Sequence, residues 1–455
     1  MMQVAGETRD RGPYVVATYR VRDKQDKLAA RAEGIAVGLT VGSWTDLPQA
    51  KQPAVLQYCG QVEDIRVLDE EALRMQDEND IRVLQGEKDM RVLEEEATGV
   101  QAATDAAVAG TAAAGMVTAE ISIGYPVRNF NGTIASILTT VFGKLSMDGE
   151  IRLVRLLLPD MLQRQFPGPK FGVRGIREQL RVQERPLLMS IFKACLGRNV
   201  DDLTNAFLEQ ARGGADLVKD DEIFFSEDYA TPEQRVMAFS EAARRLELET
   251  GRKVSYAVNL TGPVNKLVDR ARRLSELGAG ALLVNAVAYG YDILAELAAD
   301  ADVTVPLMIH PAVSGALYGS ATHGIASDIV LGNLMRLTGA DIVIYPSPYG
   351  SVTLPRSEGL RLVNALRTSS MHKSVLPAPS AGIYPGLVPK LVADLGNDCI
   401  VNAGGAIHGH PGGAEQGASA FMAAITATVE GMSLSQAAEK HAPLATALQQ
   451  WGTGQ

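Results

Sequence analysis

The segment Gly213-Gly214-Ala215-Asp216-Leu217-Val218-Lys219-Asp220-Asp221-Glu222 runs from small and apolar residues into four consecutive charged ones. If Leu217-Val218 begins a strand, alternation puts Lys219 and Asp221 on one face and Asp220 on the other. Glu222 can then turn back toward that first face as the chain leaves the sheet. Two carboxylates beside a lysine suit a hard divalent ion such as Mg²⁺, which takes oxygen ligands and keeps positions for substrate or water. A protonated lysine is no ligand, but an amine that has captured CO₂ as a carbamate adds a third anionic oxygen donor. The same four residues also fit a solvated charged turn after a buried strand, and at this point both readings stand.

Other chemistry-bearing residues sit at comparable places. Gly382, two residues after Ser380, and the pair Gly404-Gly405 end apolar runs. Glycines there let backbone N–H groups approach a ligand closely, the way phosphate sites after the last two strands of a barrel are built. Ser380 adds a hydroxyl donor, and plain strand-to-helix turns are the alternative. Lys193 and His310 each follow an apolar run, His310 with a satisfied core histidine as its alternative. His408 and His410 flank Gly409 and read equally well as supporting residues. No two histidines have the helical spacing of a zinc site. Cys195 has no evident base partner, so a thiol nucleophile is a weak idea.

Apolar strand-like runs begin at Pro186, Ala215, Val254, Ala281, Val305, Ala340, Ser374 and Cys399. Helix-like stretches of roughly 10–20 residues follow them, such as Thr231–Glu249, Val264–Leu277 and Gly413–Glu430. Pro232 marks a helix start; Gly251, Gly278 and Gly339 mark helix ends. Eight βα units over about 250 residues predict a closed (β/α)₈ TIM barrel, with the active site at the carboxyl ends of its strands. Upstream, strands are expected at Tyr14–Val21, Thr118–Tyr125 and Ile151–Leu158, with helices over Lys24–Val37 and Ile134–Phe142. These make a small α+β domain, ferredoxin-like in type. The predicted fold class is therefore α/β, with an N-terminal domain over 1–160 and the barrel with its C-terminal helices over 161–455.

The chain has 455 residues, 46% hydrophobic and 21% charged, enough for a sizeable core and against disorder as its main state. Its net charge of −10 is uneven: Glu63–Glu96 holds 13 acidic and 5 basic residues, a local −8. A near-neutral body with one acidic segment has no footprint for nucleic acid. That segment repeats Asp64-Ile65-Arg66-Val67-Leu68 as Asp80–Leu84 and Asp89–Leu93, at unequal spacing, and gives way to a small-residue stretch from Ala97 to Gly115. It reads as an insertion over about 64–115, either a solvated excursion or an interaction arm. No apolar run is long enough to cross a bilayer. The opening Met1–Asp10 is polar and mixed in charge, unlike a secretory signal. Cys59, Cys195 and Cys399, odd in number and far apart, fit a reducing cytoplasm.

Taken together, Gly213–Glu222 resembles the metal-site signature of the RuBisCO large-chain superfamily, with its carbamylated lysine. The resemblance extends from Tyr14-Val15-Val16-Ala17-Thr18-Tyr19 to the C-terminus. It includes Gly42-Ser43-Trp44-Thr45, Phe166-Pro167-Gly168-Pro169-Lys170-Phe171-Gly172 and Gly404-Gly405-Ala406-Ile407-His408-Gly409-His410-Pro411. The chain departs from true carboxylases where Cys195 replaces a second lysine and Pro311 replaces an arginine after His310. Tyr345-Pro346-Ser347-Pro348-Tyr349-Gly350-Ser351 replaces their mobile lysine loop. Without that cation, carboxylase activity is not expected.

Phe142-Gly143-Lys144-Leu145-Ser146, Leu188–Lys193, His310–Gly315 and Pro346–Ser351 are similar instead to the RuBisCO-like 2,3-diketo-5-methylthiopentyl-1-phosphate enolases of methionine salvage. The resemblance implies a Mg²⁺-dependent keto–enol isomerase acting on a small phosphorylated diketone. It implies one Mg²⁺ per subunit and a cytoplasmic homodimer whose site is completed by the partner's small domain. Lys144 matches the general base, Lys219 the carbamylated (N6-carboxylysine) metal ligand, and Asp221 and Glu222 the other ligands. Lys193, His310, Gly382, Gly404 and Gly405 match substrate contacts; Ser380 enters as the hydroxyl donor beside them. Two other functions share part of this pattern: another RuBisCO-like isomerase acting on a methylthio sugar phosphate, and a non-catalytic sugar-phosphate-binding scaffold.

Overall fold

In the computed structural model, which describes residues 13–43, 45–69, 115–225 and 227–454, the chain divides into two compact units. The smaller comprises residues up to Phe166 together with Leu317–Ile329; the larger comprises Pro167–Ala316 and Val330–Gln455.

In the smaller unit, β1 (Tyr14–Lys24), β2 (Gln61–Leu68), β3 (Met116–Pro126) and β4 (Ile151–Leu157) lie in the order β4-β1-β3-β2. The helix Leu28–Gly38 connects β1 to β2, and Ile134–Leu138 with a following π turn, Thr139–Gly143, connects β3 to β4. This is the βαββαβ arrangement of a ferredoxin-like domain. Alternation builds its core: Val15, Ala17, Tyr19 and Val21 of β1 are buried, as are Ala119, Ile121, Ile123 and Tyr125 of β3.

One expectation needs correction. Asp64–Leu68, read as the start of the insertion, is the second half of β2 and pairs antiparallel with β3. Its charges are cross-strand partners: Arg66 and Arg20 each donate to the buried Glu120 carboxylate, at 2.7 and 2.9 Å. The other two copies of the repeat, and the insertion from residue 70 to 114, lie outside the described residues. A two-residue strand, β10 (Gly324–Ile325), pairs parallel with β4; no periodicity marks so short an element in advance.

The larger unit is an eight-stranded parallel sheet in the order β12-β11-β9-β8-β7-β6-β5-β13. Its strands are β5 (Leu187–Ile191), β6 (Leu217–Lys219), β7 (Ser255–Asn259), β8 (Ala281–Val284), β9 (Leu307–Ile309), β11 (Ile342–Pro346), β12 (Leu376–Ser380) and β13 (Ile400–Ala403). The two ends, β12 and β13, pack side by side, so the sheet curls into a near-closed barrel. All eight strands fall where the apolar runs predict them. Helices fill the connections, among them Val200–Arg212, Pro232–Thr250, Val264–Glu276 and Gly413–Val429. Pro232 opens its helix behind a Thr231–Gln234 capping box, and Gly251 closes it in the left-handed conformation.

Met189, Leu217, Ala257, Leu283, Met308 and Ile400 share one apolar cluster in the barrel interior. A period of two carries the same face to Ile191, Lys219, Asn259, Asn285, His310 and Asn402 at the carboxyl ends. At five of these six positions, all but Ile191, the interior thus changes from apolar to polar in one layer.

Candidate active site

Lys219 is the last residue of β6 and is fully buried. Its amine donates to the Asp220 backbone carbonyl at 2.9 Å and lies 3.8 Å from the Glu222 carboxylate. Burial outweighs the attraction of Glu222 and Asp221 and lowers the amine to about 8. A far larger fraction of neutral amine is present near neutrality than on an ordinary lysine.

Asp221 faces the same way and accepts from the Lys193 ammonium at 2.6 Å. Burial would raise its carboxyl, but the Lys193 bond and charge, with the Ile223 amide, hold it below the usual range. Glu222, half-buried, turns back where the chain leaves the strand, as expected, and lies 3.4 Å from His310 Nε2. His310 Nδ1 accepts the Ala312 amide at 3.2 Å, which leaves the ring proton on Nε2, facing Glu222. Burial, with the Lys219 and Lys193 charges, lowers His310 to about 3, so the contact is a neutral imidazole against a carboxylate.

The structure therefore brings together Lys193, Lys219, Asp221, Glu222 and His310. The glycine-rich strand ends lie on the same barrel. Gly382 follows Ser380 of β12 with φ +76°, a conformation few other residues adopt. A Cβ on Gly404 would stand 2.9 Å from Lys193 Cε, so glycine here makes room for the lysine stem. Gly405, by contrast, faces open space. His408 Nε2 meets the Ile191 carbonyl at 3.0 Å, and His410 bridges the Pro443 carbonyl and the Gly412 amide. Both are supports, one of the two readings the sequence left open. Cys195 is buried, and burial followed by the Asp220 and Asp221 charges pushes its thiol up to about 11, which removes it as a nucleophile. Lys144 belongs to the smaller unit, exposed between the π turn and a 3₁₀ turn, Leu145–Met147.

The loop that replaces the carboxylase lysine loop is tied down. The Tyr349 hydroxyl donates to Asp394 at 2.5 Å, and Arg356 grips the same carboxylate at 2.6 Å. The Ser351 amide donates to the Ala381 carbonyl at 3.2 Å, clasping this loop to the one that carries Gly382.

Sequence reasoning missed three carboxamides. Asn259 donates from Nδ2 to the Glu222 carbonyl at 3.1 Å, and Asn285 does so at 3.3 Å. Among the described residues, Asn259 Oδ1, Asn285 Oδ1 and both amide atoms of Asn402 are buried without a hydrogen-bond partner. The signal was present: each stands one alternation step beyond an interior apolar residue, in the register of Lys219.

This donor set fits a hard divalent ion once Lys219 is modified. Among the described residues, no group of three His, Cys, Asp or Glu converges to hold a metal. Asp221 and Glu222 supply two anionic donors, and the buried Lys219 amine, its pKa lowered by burial, is the group that a carbamate would convert into the third. The Lys193 ammonium against Asp221 already shows that the position favours positive charge.

Known proteins resemble the chain over most of its length. The family model for the ribulose bisphosphate carboxylase large chain, catalytic domain, matches residues 172–451. The chain is 44% identical over 439 residues to the 2,3-diketo-5-methylthiopentyl-1-phosphate enolase of Geobacillus thermodenitrificans, covering 96% of this chain and 98% of that protein. The enzyme of the same name from Bacillus licheniformis is 42% identical over 438 residues, with 96% and 98% covered. Among solved structures, the rubisco-like protein MtnW of Alicyclobacillus acidocaldarius is 58% identical, with a TM-score of 0.84 over 98% of this chain and 100% of that one. RuBisCO of Pyrococcus horikoshii is 26% identical, with a TM-score of 0.80 over 97% and 94%. The polar layer at the mouth of an eight-stranded barrel, its lysine and paired acids, and these likenesses lead to one conclusion: the chain belongs to the RuBisCO large-chain family, in the branch of the RuBisCO-like 2,3-diketo-5-methylthiopentyl-1-phosphate enolases.

Proposed function

We propose that this chain is a Mg²⁺-dependent 2,3-diketo-5-methylthiopentyl-1-phosphate enolase of methionine salvage, a cytoplasmic homodimer without carboxylase activity. The reaction is an isomerisation. A proton leaves the carbon between the phosphate ester and the 2-keto group, the C1–C2 double bond forms, and the 2-oxygen takes up a proton. The product is 2-hydroxy-3-keto-5-methylthiopentenyl-1-phosphate, and no oxidant or reductant is required.

The observation that carries this reading is the convergence of Lys219, Asp221 and Glu222 at one strand end, beside Lys193 and His310. Carbamylated Lys219, Asp221 and Glu222 would hold the ion, which when bound supplies Lewis-acid stabilisation of the charge that develops on the substrate oxygens. Lys144 is the base that accepts the carbon-bound proton. Lys193 places a second positive charge at the substrate oxygens, and His310, neutral with its proton on Nε2, is a hydrogen-bond donor rather than a charge. Ser380, Gly382, Gly404 and Gly405 form the phosphate end, where backbone amides meet the anion.

Purified protein supplied with the diketo phosphate, Mg²⁺ and bicarbonate should develop the ultraviolet absorbance of the conjugated enol. No absorbance change, or appearance of an aldose–ketose isomer instead, would contradict the assignment.

A further inference from the structure

Asp220, between the candidate ligands Lys219 and Asp221, points away from them and is the hub of a buried network. It is fully buried, with Arg235 and Tyr256 at 1% and 3% exposure beside it. Its Oδ2 accepts from Arg235 Nη2 at 2.9 Å and from the Asn259 amide at 2.9 Å; its Oδ1 accepts the Tyr256 hydroxyl at 2.6 Å. Arg235 Nε in turn donates to the Tyr256 oxygen at 3.0 Å.

The network also reaches past the ligands. The Arg235 guanidinium lies 4.0 Å over the ring of Phe224, two residues after Glu222. Asn259, whose own amide binds Asp220, donates from its side chain to the Glu222 carbonyl at 3.1 Å, with the Asp221 and Phe224 carbonyls at 3.5 Å. The turn that carries both acids is therefore held on each side by groups answering to one carboxylate. A buried ion pair is weak evidence of stabilisation, because desolvation opposes the Coulomb gain. A network spent on one short turn, at a strand end only three residues long, has a better explanation in orientation.

We propose that Asp220, Arg235 and Tyr256 are positioning residues for the metal site, with Asn259 as their link to the turn: they fix the register that sends Lys219 and Asp221 inward and aim Glu222 at the same point. This rests on the metal-site reading above.

The test is Mg²⁺ calorimetry on the full chain in bicarbonate buffer, with unfolding temperature measured in parallel. Removing Arg235 would strand a buried carboxylate, so the informative variant is Tyr256→Phe. Its ring keeps its edge contact with Phe239, centroids 4.6 Å apart, while the bond to Asp220 and the one accepted from Arg235 Nε are lost. Asp220→Asn, which preserves shape and removes charge, is the second variant. Asp341→Asn is the control for general loosening. That buried carboxylate accepts the Phe171, Gly172 and Leu307 amides and touches none of the site residues.

The expected result is Mg²⁺ affinity about tenfold weaker in Tyr256→Phe, the size of effect seen for residues that orient metal ligands, and weaker still in Asp220→Asn. The control should bind like wild type even where its unfolding temperature falls. Wild-type affinity in a folded Tyr256→Phe, or an equal loss in Asp341→Asn, would overturn the proposal. Should Tyr256→Phe fail to fold, the same comparison is read from Asp220→Asn, and failure of both to fold would make the network a folding element and overturn it too. If wild type itself binds no Mg²⁺, the metal reading fails first, an outcome distinct from variants that bind as tightly as a binding wild type.

Discussion

The two ends of the barrel treat charge in opposite ways. At the amino ends of the strands, Asp216, Asp341 and Lys170 each have several hydrogen-bond partners. Asp216 takes both terminal nitrogens of Arg185, at 2.7 and 2.8 Å, and the Leu188 amide. Asp341 accepts three backbone amides, and Lys170 donates to the Asp300 and Val303 carbonyls, both at 2.6 Å. At the carboxyl ends, a buried amine has one backbone acceptor, a histidine is driven neutral, and three carboxamides keep unpaired atoms. One end is finished as structure; the other is arranged for something to be bound. This division of a barrel into a stabilising face and a reactive face follows from where its strands and loops end.

The contrast can be broken most decisively at the reactive end. Lys219→Ala is expected to abolish turnover and remove most Mg²⁺ binding, whereas Lys144→Ala should abolish turnover and largely spare Mg²⁺ binding. Turnover assays paired with calorimetry separate the two. Loss of both properties in Lys144→Ala would show that Lys144 is not the base.

At the stabilising end, Asp341→Asn should do the reverse. Placing an amide against three backbone donors is expected to lower stability by about 1–3 kcal/mol, read by urea unfolding, with turnover of the folded protein kept. A loss of turnover without loss of stability would blur the distinction.

The smallest effect lies in the other unit, at Glu120. Burial alone would raise its carboxyl, but Arg20 and Arg66 more than compensate and hold it below the ordinary carboxylate value. Its folded pKa is thus depressed, so its contribution is present above the unfolded value of about 4.3 and is lost as pH falls through the folded one. Melts of wild type and Glu120→Gln should differ at pH 6 and converge toward pH 3. A difference independent of pH would remove the ion pairs from the explanation.

Much of this was legible in the sequence, for identifiable reasons. The barrel strands are continuous apolar runs because both faces are buried, and that pattern survives without knowledge of the neighbours. Lys219 and Asp221 were placed on one face, and Asp220 on the other, by a period of two. The part of β2 from Asp64 to Leu68 was misread because its charges look like a solvated segment until Arg66 is seen across from Glu120. Asn259, Asn285 and Asn402 were passed over because asparagine carries no charge to draw notice, although their register was readable. Arg235 and Tyr256 lie 15 and 36 residues from Asp220, and only the fold brings them to it.

The most direct test is a crystal structure of the protein grown with Mg²⁺ and bicarbonate. The account requires carbamate density on Lys219 and an ion shared by that carbamate, Asp221 and Glu222. An unmodified Lys219 with no ion among these three side chains, in crystals of protein that turns over the diketo phosphate, would contradict it.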